Sequence, residues 1–425
     1  MSEKTSKLKN RIKFRTPSTK SLLYIFLFFL VCSAISVALF KISEKNPHVV
    51  EEYYNSIVFK AITLPSKMFV SIFPFSVSEI ALVTVILFVI TYFIRTVVLT
   101  VKRMRKKQGK IYIPAVRYIL SIGILITGII TMFVVNGGLN YNGITFADRS
   151  GLVLTETSTE ELEELCMFLG EEAAKARKNL PENDKGVISP DVSVFELAKK
   201  AKDGYKAIED TYPYLKGFYP KAKPAIFSHF MCYTEITGIY PYIIPEPNIN
   251  YKTPIMSLPS TINHEMAHQR GISREDEANF IAYLASINNP DPLFQYSGYY
   301  LALNYSLNAL SKHNGDASRR VYEALDKGIL RDMQAAREFW KQFETPKNIV
   351  ATVSENVNNK YLETVNVEDG VHSYGRMVDS AACVQKSRKG SRLSSFLFYR
   401  QFISKIYRSS GSSVSSGSNK EMLTS

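Results

Sequence analysis

Residues 264–279 read HEMAHQRGISREDEAN, and this stretch says more about the chain than any other. His264 and His268 are four residues apart, so a helix would place both imidazoles on one face, one turn apart. Glu265 lies between them, as a general base lies between the two histidine ligands of a zinc peptidase. A zinc hydrolase also needs a third protein ligand and an open position for water. We expect Glu277 to be that third ligand.

The choice of Glu277 depends on the residues that follow it. Apolar residues lie at i+3, i+4 and i+7, so Glu277 shares a helix face with the core, where a carboxylate is costly unless it is paired or bound to metal. Glu275 and Asp276 fit an exposed acidic helix start, which the helix dipole favours. The pentapeptide alone is a weak signal, because a solvated helix can carry two histidines by chance.

A longer set of short segments makes the pattern more specific. In chain order they are Pro74 to Ser76, Gly138 to Tyr141, Tyr219-Pro220, Lys223-Pro224, Phe227-Ser228, Gly238 to Tyr240, Asn248 to Asn250, Leu258-Pro259, Tyr296 to Tyr299 and Ser373 to Arg376. Together with residues 264–271 and 275–284 they resemble a bacterial family of membrane-anchored proteins of unknown function, whose members are classed as candidate zinc peptidases. The stretch 264–279 itself resembles the gluzincin class of metallopeptidases.

This resemblance covers roughly residues 20–378. It implies a gluzincin-like fold with Zn²⁺ held by His264, His268 and Glu277, and it implies no known substrate. The chain departs from the family pattern at residues 244–247, where no glycine precedes the glutamate. It departs again after Val378, where a polar and then Ser-, Lys- and Arg-rich sequence replaces the family's apolar helix.

Side chains that could stabilise an oxyanion are harder to choose. His229, Tyr374 and Arg376 are the candidates, and each has an ordinary alternative as a packing or surface residue. Asn263 and Asn279 flank the expected ligands, and either could orient a zinc-bound imidazole. Helix capping and surface exposure are equally good explanations for both asparagines.

Three apolar runs are long enough to cross a bilayer, at residues 22–40, 78–99 and 118–135. The net charge of +13 would suggest nucleic acid in a soluble protein, but the basic residues cluster beside these runs. We therefore expect membrane lipid as a partner and no nucleic acid. The positive-inside rule predicts a multi-pass protein of the cell membrane with its N-terminus inside and everything after about residue 137 outside.

The predicted organisation has four parts. These are a basic cytoplasmic N-terminus (1–21), a membrane region (22–136), a zinc-peptidase-like domain (137–385) and a disordered tail (386–425). The fold class is mainly α, with three transmembrane helices followed by a predominantly helical α+β extracytoplasmic domain. Within that domain the patterns predict amphipathic helices at 159–180 and 194–212, and an extended edge at 253–258 just before the active helix.

The resulting functional prediction is a membrane-anchored zinc metallopeptidase, in which Glu265 activates a zinc-bound water to hydrolyse a peptide or protein substrate. One alternative is a catalytically silent zincin fold that serves as an envelope sensor or scaffold. A transporter or channel accessory subunit is a third hypothesis, which the lack of charge inside the spans disfavours. The sequence does not decide the oligomeric state.

Overall fold

The computed structural model describes residues 17–152, 157–344 and 377–385. Within them the chain is mainly α, as predicted from the sequence. One small sheet is the exception, and it lies beside the helix that carries the two histidines.

The N-terminal third contains three helices that are long and apolar enough to cross a membrane. In chain order its elements are α1 (Thr19–Ser43), α2 (Pro47–Val49), a π-helix (Val50–Val58), α3 (Phe59–Ser71), α4 (Val77–Arg105) and α5 (Ile113–Asn136). The long apolar helices are α1, α4 and α5, and each contains one of the predicted runs. Helices α1 and α4 both pack against α5.

The segment between α1 and α4 is helical and contacts the domain that follows α5. Phe59, at the start of α3, is fully buried and lies close to Gly271. Lys67, further along α3, donates a hydrogen bond of 2.9 Å to the carbonyl oxygen of Gln269. Residues 47–71 therefore contact the turn that follows the histidine-bearing helix.

A helical domain follows. Its elements are a 3₁₀ turn (Gly138–Asn142), α6 (Phe146–Ser150), α7 (Thr159–Arg177), α8 (Val194–Ile208), a 3₁₀ turn (Pro213–Leu215), β1 (Lys223–Pro224), α9 (Ser228–Tyr233), β2 (Gly238–Ile239), β3 (Asn248–Ile249), α10 (Leu258–His268), α11 (Glu275–Ile287), α12 (Pro292–His313), α13 (Gly315–Ala324) and α14 (Lys327–Lys341). Residues 377–385 are also helical.

The two predicted amphipathic helices are present as α7 and α8, each ending three or four residues earlier than expected. Both begin with a capping box, in which a serine and the glutamate three residues on satisfy each other's backbone N–H groups (Ser158 with Glu161, Ser193 with Glu196). Their apolar faces contribute to one core with α10, α11 and α12.

The sheet differs from the sequence prediction. Its strand order is β1-β3-β2, with β1 parallel and β2 antiparallel to β3. The predicted extended edge at 253–258 is wrong, because residues 251–257 form turns and α10 begins at Leu258. Pro254 and Pro259 explain the difference, since proline cannot donate to a sheet and suits the first turn of a helix. The strand at the sheet edge beside α10 is β2.

Candidate metal centre

The two histidines occupy the last turns of α10. Their rings are almost perpendicular, with centroids 4.8 Å apart, and the two Nε2 atoms are separated by 3.1 Å. Gly271, with φ of +86°, ends the helix and turns the chain back towards α11. The i, i+4 spacing therefore brings the imidazoles together as the sequence predicts.

A hydrogen bond on the far side fixes each imidazole. His264 Nδ1 lies 2.9 Å from Oδ1 of Asn279, and His268 Nδ1 lies 2.8 Å from the carbonyl oxygen of Ile272. Both partners are acceptors, so each Nδ1 carries a proton and each Nε2 is directed inwards, towards the other ring. Metal-binding histidines are usually held by this kind of outer hydrogen bond.

Glu275 brings the third acceptor. Its Oε2 is 3.1 Å from His264 Nε2, and its Oε1 is 3.6 Å from His268 Nε2. Together the three side chains form the group in the described residues whose ligand atoms could hold a metal ion. A tetrahedral zinc site with bonds of 2.0–2.1 Å would separate its ligand atoms by about 3.3–3.4 Å, close to the spacings found here. The donor set therefore fits a zinc ion.

Glu277, the predicted third ligand, is directed elsewhere. Its Oε1 accepts hydrogen bonds from the backbone N–H of Phe146 at 2.9 Å and from Arg274 Nη1 at 3.1 Å. The side chain is partly buried, with 13% of its surface exposed, and the charge of its carboxylate is balanced by an arginine and a backbone amide. Residues 275 and 277 point about 200° apart around a helix, so only one of them can face α10. The expectation that Glu277 joins the two histidines is therefore wrong in its geometry, because the carboxylate that faces both imidazoles is that of Glu275.

The charges of the cluster are strongly coupled. Burial opposes protonation of His264, but the hydrogen bond and negative charge of Glu275 outweigh it and raise the histidine pKa to about 9. Burial raises the pKa of Glu275, yet the two imidazoles lower it to about 2. Burial also lowers the pKa of His268. Three converging acceptors thus attract one positive charge, which a proton or a metal cation can supply.

Glu265 is almost completely buried, and its Oε2 has no hydrogen-bond partner within the described parts of the chain. Burial raises its pKa to about 8. Strand β2 lies directly against it, because a Cβ atom added to Gly238 would be 2.5 Å from Glu265 Oε1. The glycine therefore allows the sheet edge and the carboxyl group to approach each other closely.

Of the three predicted oxyanion donors, His229 is the one that lies among the described residues. His229 is exposed on α9, where its ring contacts Tyr233 and Phe343 at centroid distances of 5.6 and 5.8 Å. Tyr374 and Arg376 lie outside the described residues. His229 thus belongs to an aromatic cluster, and these ring contacts do not include His264, His268 or Glu275.

Sequence reasoning found some of the surrounding residues and missed others. Asn279 does orient an imidazole, whereas Asn263 donates to Ser286 Oγ at 2.8 Å and supports the packing of α10 on α11. The Ile272 carbonyl and the close approach of Gly238 were missed. Both depend on chain turns, and the glycines at 238 and 271 were the only signals that could have suggested them.

These features describe a mainly α-helical protein with three apolar helices and a His-His-Glu cluster beside a small sheet. The chain belongs to the family described as "Protein of unknown function (DUF3810)", whose pattern matches residues 54–381. No curated protein and no solved structure matches the chain.

Proposed function

We propose that this protein is a membrane-anchored, gluzincin-like zinc metallopeptidase that binds Zn²⁺ through His264, His268 and Glu275. The supporting observation is the convergence of three acceptor atoms at separations of 3.1–3.6 Å. Without a cation, two lone pairs and a carboxylate would face one another at close range, which is electrostatically unfavourable. A zinc ion there would supply Lewis acidity to a water molecule and to a peptide carbonyl group.

The residues around the cluster have distinct parts in this proposal. Asn279 and the Ile272 carbonyl hold the imidazoles in the orientation that presents Nε2. Glu265 is buried, and its Oε2 has no hydrogen-bond partner among the described residues. In this proposal it takes a proton from the attacking water and passes it to the leaving amine. Strand β2, at the sheet edge, offers its backbone to an extended substrate.

The proposal includes a location for the site. Six Lys or Arg residues precede α1, and Lys20 lies in its first turn. Seven more lie between residues 101 and 117, whereas the segment 44–76 carries three. The positive-inside rule then places the N-terminus and the α4–α5 loop in the cytoplasm. With three passes, the metal cluster faces the outside of the cell membrane.

The test compares the full-length protein with Glu265→Gln, using Glu160→Gln, an exposed site on α7, as a matched control. Each purified protein is measured for zinc and then incubated with a mixed peptide library, whose new termini are identified by mass spectrometry. We expect one zinc per chain in all three. Cleavage should fall by about 10²–10⁴-fold only in Glu265→Gln, the usual loss for a general base.

The possible results separate the hypotheses. Wild-type protein without zinc, or equal cleavage by wild type and Glu265→Gln, contradicts a zinc peptidase. Zinc in every variant with cleavage in none favours the silent zincin scaffold. Loss of cleavage in Glu160→Gln would show that the assay reports on folding and not on the base.

A further inference from the structure

Two segments far apart in sequence leave large apolar side chains exposed near the N-terminal end of α4. We call them the apolar rim. The first segment ends α3 and leads into α4, and the second precedes and begins α9. Their exposed residues are Phe69, Ile72, Phe75, Ile226, Phe227 and Phe230, with exposed fractions from 41% to 72%.

The second segment is fixed to the first turn of α4. Glu79 accepts hydrogen bonds from the backbone N–H groups of Ile226 at 2.6 Å and Phe227 at 3.0 Å. Ile80, the residue after Glu79, begins the mostly apolar, uncharged run of this helix, which continues to Arg95. Ile226 and Phe227, just before α9, are therefore held beside the residues where the apolar run of α4 begins. About 150 residues separate them from Glu79 in sequence.

A buried ionic contact ties the first segment to the same place. Lys223 Nζ donates to the carbonyl oxygen of Val70 at 2.7 Å and to Glu246 Oε2 at 2.6 Å. The other oxygen of Glu246 accepts from the backbone N–H of Ser78 at 2.6 Å. The end of α3, the start of α4 and the sheet thus form one rigid junction, with the rim on its surface.

We infer that the apolar rim inserts into the outer boundary of the lipid bilayer and docks the helical domain on the membrane that α4 crosses. Exposed apolar patches of this kind mark interaction surfaces, and aromatic and aliphatic side chains suit the region between headgroups and acyl chains. The occupant is lipid because the rim is continuous with the apolar surface of α4. The rim is also close in sequence to the candidate site, since β2 is the next element after α9 and lies against Glu265.

The test uses tryptophan fluorescence, because Trp340 is the only tryptophan in the chain. Full-length proteins carrying Trp340→Phe together with Phe230→Trp or Phe227→Trp are reconstituted into phosphatidylcholine vesicles. A fraction of the lipid carries bromine on acyl carbons near the headgroup. The matched control carries Trp340→Phe together with Tyr322→Trp. Tyr322 is exposed on α13, a helix that packs on α7 and α12.

We expect bromolipid to quench the emission at positions 227 and 230 by at least about twofold, as for side chains at the acyl boundary, and to leave position 322 unchanged. No quenching at either rim position overturns the inference. A blue-shifted, unquenched emission at 227 or 230 also overturns it, because another protein surface would then cover the rim. Zinc content does not enter this measurement, so its outcome is independent of the proposed peptidase activity.

Discussion

At the scale of single residues, the two carboxylates at 275 and 277 decide how the site is built. Local spacing was sufficient to predict His264, Glu265 and His268, because all three lie on one helix. The third group depends on how the chain turns at Gly271, where φ is +86°. A core-facing pattern predicted burial of Glu277, which is partly buried with 13% of its side chain exposed. Partial burial alone does not show which partner balances the charge.

This difference gives a matched pair of substitutions. Glu275→Gln removes the anionic ligand and should weaken zinc binding by at least about 100-fold, more than the usual loss of an outer hydrogen bond. Glu277→Gln should leave zinc stoichiometry unchanged and instead lower stability by about 1–3 kcal/mol, because Arg274 loses its charged partner. Zinc titration and thermal unfolding of both full-length variants measure the two effects. Loss of zinc in Glu277→Gln with retention in Glu275→Gln would restore the original prediction.

Lys67 gives a prediction about pH. It is only 2% exposed, and burial, with the charges of Arg270 and Lys60 adding to it, lowers its pKa from 10.5 to about 7. Between pH 7 and 10.5 the unfolded chain therefore binds more protons than the folded chain at this residue. The folded state consequently gains stability as pH rises through that window, by up to about 1.4 kcal/mol per unit.

The measurement compares the wild type with Lys67→Met, which cannot titrate at this position. Apparent unfolding midpoints in detergent are recorded at pH 7, 8 and 9. The wild-type midpoint should rise relative to that of Lys67→Met, by a few degrees per unit. Parallel profiles for the two proteins would show that Lys67 keeps its charge when buried, stabilised by the Gln269 carbonyl and the neighbouring aromatic rings.

At the scale of elements, the close contact between β2 and α10 positions the carboxyl group of Glu265. Gly238→Ala adds a Cβ atom that would lie 2.5 Å from Oε1 of Glu265 and 2.7 Å from its Cγ. The carboxyl group must then move, while the three candidate ligands are untouched. We expect normal zinc content and a kcat reduced by about 100-fold, the typical result of a misplacement of about 1 Å.

Gly315→Ala is the matched control for this substitution, since a Cβ atom there meets nothing within 4 Å. It should change neither zinc content nor kcat. Full activity in Gly238→Ala would show that catalysis does not depend on the present position of Glu265. That result would contradict its assignment as the general base. A parallel loss of zinc would instead show that β2 supports the ligands themselves.

At the scale of the whole molecule, hydropathy was enough to predict the three long apolar helices, because the signal is local and continuous. It could not show that residues 47–71, between the first two of them, pack against the turn after α10. That contact joins Lys67 to Gln269, about 200 residues away in sequence, and only the tertiary fold reveals it. The edge strand was misplaced for a related reason, since pairing partners and not propensity decide strands of two residues.

Orientation in the membrane is the remaining prediction, and it follows from the distribution of basic residues. The loop between α4 and α5 belongs to a segment with seven Lys or Arg residues, so it should lie in the cytoplasm, with the end of α12 outside. Cysteines introduced at Lys106 and Lys312, both exposed, can be labelled in intact cells with a membrane-impermeant maleimide. Lys312→Cys should react before lysis and Lys106→Cys only after it, with the parent chain as the background control. The reverse order would place the His264–His268–Glu275 cluster in the cytoplasm, where the substrates of the proposed peptidase would be cytoplasmic chains.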